Sequence, residues 1–267
     1  NLVDANGTIS NSALLFGFDA YSSSFTGGIH VAAADLNQDG FADIVTGRGT
    51  GQARVRVFDG QTGNQSANFL AFSPGFSGGV RVAAVGQVGG HHAQVIVSAA
   101  SASGKVKVID ATLLGNVQSN GVIADASLLA SFQPYGANYT QGVFLSAGDV
   151  NGDGFADIIT GRAGSPNARV FDGSTLHSAP FTDPTKLFDF LAYSPSFKGG
   201  VRVGMAQING RAQIVLAPGN PGGVSVKIAD SSKLGAPDWL QPDNQIADDA
   251  LLDSFFVFNN DGVFVGG

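Results

Sequence analysis

The segment Asp35-Leu36-Asn37-Gln38-Asp39-Gly40-Phe41-Ala42-Asp43 returns as Asp149-Val150-Asn151-Gly152-Asp153-Gly154-Phe155-Ala156-Asp157, and its first Asp steps from 35 to 149, a spacing of 114 residues. Alternate side chains at the first, third and fifth positions put three oxygen donors on the concave side of a loop. The glycine allows a sharp turn, the Phe position can offer its backbone carbonyl, and the last Asp closes the cage. Hard oxygen donors at this spacing suit Ca²⁺, which takes about six to eight oxygens. Three carboxylates crowded in one loop repel each other unless a cation lies between them. No Glu occupies the twelfth position, where Thr46 and Thr160 stand, and the flanks read as strands, so the loop is not an EF-hand. The plainer alternative is an Asn/Asp-Gly hairpin turn; retention of every acidic position in both copies favours the metal.

The loop belongs to a longer repeat. GGIHVAAADLNQDGFADIVTGRG (27–49) and QGVFLSAGDVNGDGFADIITGRA (141–163) alternate with GGVRVAAVGQVGGHHAQVIVSAA (78–100) and GGVRVGMAQINGRAQIVLAPG (199–219). Each is followed by a second alternating run (53–60, 105–111, 168–173, 224–230) and an aromatic run (68–74, 128–135, 187–195, 251–258). The first strand of each unit is small and suits a crowded centre. The second is apolar throughout, as in a sheet covered on both faces. The third alternates, and the fourth is Phe-rich, able to fill a widening wedge. Small residues inside and bulky ones outside predict an all-β fold, a β-propeller of radially arranged, antiparallel four-stranded blades. A solenoid does not explain that gradient.

Four full repeats fall at about 27–74, 78–135, 141–195 and 199–258, in one domain covering 1–267. Residues 1–21 resemble a third and a fourth strand, and 251–267 a fourth strand followed by a first. Pairing the two ends would close the ring with a composite fifth blade; four blades are the alternative. Units 1 and 3 match best, as do 2 and 4, the mark of a duplicated two-blade ancestor.

Asp-x-Asn-x-Asp-Gly-x-x-Asp between short apolar strands resembles the FG-GAP (also VCBS or integrin-like) repeats, which build the β-propeller of integrin α subunits and of many bacterial surface proteins. The resemblance spans essentially the whole chain. It implies two Ca²⁺ sites, one through Asp35, Asn37, Asp39, the Phe41 carbonyl and Asp43, the other through Asp149, Asn151, Asp153, the Phe155 carbonyl and Asp157. Units 2 and 4 depart from it: Gly86–His91 and Gln207–Arg211 have lost the carboxylates, so metal is not expected there.

His30, Arg81, Phe144, Arg202 and Phe264 hold equivalent places after the glycine turns, near the expected axis. Arg81 and Arg202 can present cationic groups to an anionic ligand, or bond neighbouring carbonyls and lock blades together, which is the favoured reading. Arg48 and Arg162, at the end of each Thr-Gly-Arg, can face a partner or cover the loop. His91 and His92 are adjacent on a strand and so point to opposite faces, which argues for an exposed turn rather than a metal pair. Trp239 reads as a loop anchor, with sugar stacking as the alternative.

Composition bounds the rest. The chain is 43% apolar and 13% charged, with 38 Gly, 20 Phe and no Cys among 267 residues. The absence of Cys excludes disulfides, thiolate metal sites and Cys nucleophiles. A net charge of −7 with scattered basic residues is a poor match for nucleic acid. No run of 18 apolar residues spans a membrane. There is no Gly-x-Ser-x-Gly elbow, His-Glu-x-x-His or phosphate loop. The sequence therefore predicts a non-enzymatic, calcium-stabilised binding or adhesion module, extracellular or at the cell surface, with a protein or glycan partner. A lectin with pockets between blades, or the propeller of a polysaccharide-degrading enzyme, is the alternative.

Overall fold

A computed structural model describes residues 17–176, 181–219 and 225–256. Among the described residues, sixteen strands form four antiparallel sheets of four, each a meander in chain order. Blade 1 holds β1 (Ile29–Ala34), β2 (Asp43–Arg48), β3 (Arg54–Phe58) and β4 (Gln65–Leu70). Blade 2 holds β5 (Val80–Val85), β6 (Gln94–Ala99), β7 (Val106–Asp110) and β8 (Leu128–Phe132). Blade 3 holds β9 (Val143–Gly148), β10 (Asp157–Arg162), β11 (Asn167–Phe171) and β12 (Lys186–Leu191). Blade 4 holds β13 (Val201–Ile208), β14 (Arg211–Pro218), β15 (Ser225–Ala229) and β16 (Leu251–Phe256). The only helices among the described residues are single 3₁₀ turns.

First strands of successive blades meet at the centre, β1 against β5, β5 against β9 and β9 against β13. This is the β-propeller the repeat predicts. The composite fifth blade was assigned to the two termini, of which residues 1–16 and 257–267, like Phe264, lie outside the described residues.

The core sits between the blades. Val45, Val55 and Phe69 of blade 1 pack on Val80, Val82 and Val95 of blade 2. Ile96, Val108 and Phe132 meet Val143, Leu145 and Ile158 in the next interface. Ile159, Val170 and Phe190 meet Val201, Val203 and Ile214 in the third. Second strands are largely buried along both faces, and the sheets of blades 2 and 3 each lie between two others. Glycine in the Thr-Gly-Arg segment has a packing reason: a Cβ on Gly161 would lie 2.1 Å from the Val201 carbonyl oxygen of the next blade.

The aromatic runs divide in two. Phe69, Phe132 and Phe190 belong to fourth strands and fill the wedge. Phe72, Tyr135 and Tyr193, read in the sequence as the ends of those strands, lie past them in the linkers to the next blade. Each linker carries two rings four residues apart, Tyr21–Phe25, Phe72–Phe76, Tyr135–Tyr139 and Tyr193–Phe197, with centroids 5.1–5.6 Å apart. Where the first ring is a tyrosine, it latches to the following blade. Tyr135 Oη donates to the carbonyls of Thr160 and Asn167, and Tyr193 Oη to those of Leu216 and Ser225. Tyr21 Oη makes the same pair of bonds to Thr46 and Arg54 of blade 1. A basic residue on each third strand lies over that ring: Arg56, Lys107, Arg169 and Lys227.

Candidate metal loops and the grooves beside them

Both acidic loops join a first strand to a second, and the backbone bonds to their first and fifth residues repeat atom for atom. Asp35 Oδ1 accepts from Gln38 N at 2.7 Å and Asp39 N at 3.2 Å, and its Oδ2 from Gly40 N at 3.0 Å. Asp149 does the same with Gly152 N at 2.7 Å, Asp153 N at 3.1 Å and Gly154 N at 3.0 Å. Asp39 Oδ1 and Asp153 Oδ1 each accept from the amide of the following Phe. The turn needs left-handed backbone, at φ +88° for Gly40 and for Gly154.

The last Asp of each loop faces inward and is buried. Asp43 accepts from Leu36 N and Gly60 N, both at 3.0 Å. Asp157 accepts from Val150 N at 3.0 Å, Asn151 N at 3.3 Å and Gly173 N at 2.9 Å. Burial pushes the Asp157 carboxyl up to about 6, against the pull of those three amides, and Asp153 nearby adds to the rise. These two residues therefore pin the loop to its own sheet and to the turn after the third strand.

The donor set is all oxygen and fits a hard divalent cation by its chemistry. Asp35, Asn37, Asp39, the Phe41 carbonyl and Asp43, with Asp149, Asn151, Asp153, the Phe155 carbonyl and Asp157, are the groups that would hold it. Asp43 and Asp157, like Asp35 and Asp149, also accept backbone amides on both oxygens. Asn37 Nδ2 donates to Asp39 Oδ2 at 3.0 Å and Asn151 Nδ2 to Asp153 Oδ2 at 2.9 Å, bonds that an ion held by these oxygens would have to displace. Among the described residues, no three His, Cys, Asp or Glu side chains converge as a metal-holding cluster.

The even blades put other chemistry at the same places. Blade 4 closes its loop with Asn209 (φ +54°) and Gly210 (φ +74°), a two-residue hairpin turn. Blade 2 turns through Gly89 and Gly90. His91 then stacks on Phe155 of the acidic loop in blade 3, with centroids 3.8 Å apart. His92 Nδ1 lies 3.0 Å from Asp110 Oδ2. The histidines thus take separate partners.

The four arginines sit on aromatic rings. Arg48 Cζ lies 4.0 Å from the Phe25 centroid, and Arg162 Cζ 4.8 Å from that of Tyr139. These contacts tie the Thr-Gly-Arg segment to the preceding linker. Near the axis, Arg81 Cζ lies 4.1 Å and Arg202 Cζ 5.6 Å from the Phe144 centroid. Arg81 Nη1 donates to the carbonyls of Ala99, Ala100 and Val143, spanning blades 2 and 3. Burial lowers Arg81 to about 10. Burial, with Arg81 and Arg202 nearby, lowers His30 from 6.5 to about 4. Trp239 packs edge-on against Phe188 and Phe190, anchoring its loop.

Sequence reasoning missed the linker latch, although Tyr/Phe-x-x-x-Phe/Tyr ahead of a glycine recurs before every unit. It also missed the residue that follows the alanine at the head of the second strand in the even blades, Gln94 and Gln213. These replace Asp43 and Asp157, and the signal was the alignment of the repeats themselves.

The FG-GAP repeat model matches residues 27–64 and 142–175, the first three strands or so of blades 1 and 3 with their acidic loops. No curated protein matches the chain. No helix among the described residues is long and apolar enough to cross a membrane.

Proposed function

We propose, for a β-propeller that matches the FG-GAP repeat model at residues 27–64 and 142–175, a non-enzymatic, calcium-binding module for attachment to a protein or glycan outside the cell. The observation that carries this reading is the duplicated loop. Two segments 114 residues apart keep every oxygen donor and the same backbone bonds, whereas the intervening units lose both. A fold requirement alone would not preserve Asp39 and Asp153, since the even blades make the same connection with plain turns.

A bound divalent ion supplies positive charge to a loop that otherwise concentrates carboxylates. Asp35 and Asp149 orient the loop amides, and Asp43 and Asp157 fix it to the sheet. Binding to the folded state alone adds to folding free energy, about 2.7 kcal/mol at an ion concentration a hundredfold above Kd. The loops then stand on a rigid scaffold from which one rim of the ring can engage a partner. FG-GAP repeats are typical of extracellular proteins, which supports placing this module there.

Thermal denaturation with calcium and with chelator tests the metal. The wild-type midpoint rises with calcium, and the response disappears in the Asp39→Ala/Asp153→Ala double variant. A response of equal size in that variant, or none in the wild type, overturns the assignment.

A further inference from the structure

A cavity of about 460 Å³ opens between blade 1 and the linker that enters it. Three arginines line it, Arg48 at the end of β2 and Arg54 and Arg56 on β3. All three are half-buried, and no Asp or Glu stands in the walls. Among the described residues, no ion pair reaches any of them. Asp19, the acid nearest along the chain to the linker ring Tyr21, lines the separate cleft beside Phe18. Burial raises the Tyr21 hydroxyl, while Thr46 and the guanidiniums of Arg56, Arg48 and Arg54 pull it down, so all three charges act on one phenol. Arginine cannot shed its charge as lysine or histidine can, so like charges gathered in a pocket call for a counter-charge.

Holding the linker does not account for the cluster. Arg48 Cζ lies over Phe25, and Arg56 Cζ 5.1 Å from the Tyr21 centroid. Arg56 Nη1 donates to the Ala20 carbonyl at 2.8 Å, and Arg54 Nη1 to Asn68 Oδ1 at 2.9 Å. Each of these partners is neutral. Blade 4 builds the same latch with Lys227 alone over Tyr193, and has Pro218 and Ser225 in the places of Arg48 and Arg54.

Blade 3 supplies the control. Arg169 donates to the Pro134 carbonyl as Arg56 does to that of Ala20. It also faces Asp189 across the strand pair, and its Nε lies 3.0 Å from Asp189 Oδ2, an oxygen that Lys186 shares. Asn167, in the place of Arg54, donates to Asp189 Oδ1 at 2.8 Å. In blade 1 the facing residue is Asn68, and a second arginine replaces the asparagine. The third-strand arginine of blade 1 thus lacks the carboxylate that its counterpart holds, and gains a cation beside it.

The Asp189 carboxylate shows what this arrangement accepts, an oxyanion laid across neighbouring N–H groups. Guanidinium donors match the paired oxygens of carboxylate, sulfate and phosphate. The exposed hydroxyls of Thr26 and Thr50 at the mouth can donate to further oxygens. The volume falls in the range of small-ligand sites, roughly 300–1,000 Å³.

We propose that this pocket binds an oxyanion, the sulfate, phosphate or carboxylate of a small polar ligand, through Arg48, Arg54 and Arg56. The inference goes beyond the calcium-binding reading and uses neither acidic loop.

Calorimetric titration of the full chain at constant ionic strength tests it, with inorganic sulfate, inorganic phosphate, glucuronate, glucose 6-sulfate and glucose as probes. At least one oxyanion binds and glucose does not. Tighter binding of glucose 6-sulfate than of inorganic sulfate assigns the group to an ester on a sugar, and the reverse order to a free ion. Asn68→Asp supplies the carboxylate of blade 3 without removing a cation, and it is expected to weaken binding about tenfold or more, as are Arg48→Gln and Arg54→Gln. Arg162→Gln, the counterpart of Arg48 in blade 3, leaves binding unchanged. Heat no greater than that of chloride for every oxyanion, or binding undiminished in Asn68→Asp and Arg54→Gln, overturns the proposal. Should Arg48→Gln fail to fold, those two variants still decide. The Asp39→Ala/Asp153→Ala variant is expected to bind the oxyanion as the wild type does. Oxyanion binding without a calcium response therefore sinks the metal alone, and a calcium response without oxyanion binding sinks the pocket alone.

Discussion

Blades 1 and 3 differ from blades 2 and 4 at one residue more than at any other. Asp43 and Asp157 stand where Gln94 and Gln213 stand in the even blades. The short carboxylate reaches amides on both sides of the sheet and holds a long, irregular loop in one shape. With glutamine the connection closes through a two-residue turn, Gly89-Gly90 in blade 2 and Asn209-Gly210 in blade 4, and the amide oxygen reaches one donor in blade 4 and none in blade 2. The difference teaches that the fold needs only a connection at this point. The acids shape a loop that the connection itself does not require, and that loop is where the proposed ion would sit.

The comparison breaks most readily at Asp157. Asp157→Ala leaves three amides without their acceptor and should lower stability by roughly 2–4 kcal/mol, whereas Gln94→Ala should change it by less than about 1 kcal/mol. Urea denaturation of the pair measures this; equal losses would show that the odd blades carry no special anchor.

Next comes packing between blades. Gly161 is matched by Ala217 in blade 4, yet a Cβ at 161 would collide with the Val201 carbonyl. Gly161→Ala should therefore cost about 2 kcal/mol, by overpacking an interface that cannot recede. A neutral result would mean that blades 3 and 4 slide apart freely.

The linkers sharpen the contrast on a smaller scale. Tyr135→Phe removes a hydroxyl from the Thr160 and Asn167 carbonyls and should cost about 1 kcal/mol. Blade 2 is built with Phe72 at the matching place, so Phe72→Tyr shows whether that blade accepts a latch. A larger loss in Phe72→Tyr than in Tyr135→Phe would place the difference in blade 2 itself.

The smallest effect is in pH. His30 titrates at about 4 when folded against 6.5 in the unfolded chain. Between those values the unfolded state binds more protons, so the contribution of His30 to stability is full above 6.5 and is lost as pH falls toward 4. His30→Gln should flatten the midpoint–pH curve in that window. An unchanged slope would remove His30 from the axial cationic cluster.

Much of this was legible in the residues. The repeat at 114, the size gradient across each unit and the alternation of strands specify blades, because side-chain period and volume act locally and along the chain. The acidic loops were legible for the same reason: most of their bonds, such as those of Asp35 to the amides of Gln38, Asp39 and Gly40, fall within nine consecutive residues. The Tyr135 latch was partly hidden, since its ring was readable as strand and its acceptors lie 25 and 32 residues away. The arginines were ambiguous: guanidinium on a ring and guanidinium toward a ligand look alike until Phe25, Tyr139 and Phe144 are placed.

The sequence by itself determined the blades, their order and the oxygen-rich loops, all products of short-range spacing. Only the tertiary structure decided which polar atoms between blades find partners. Gln94 and Gln213 are the same residue in the same register, yet Ser231 N reaches one and no donor reaches the other. Satisfaction of a buried group depends on the neighbouring sheet's position to within about an ångström, and no pattern along one strand encodes that distance.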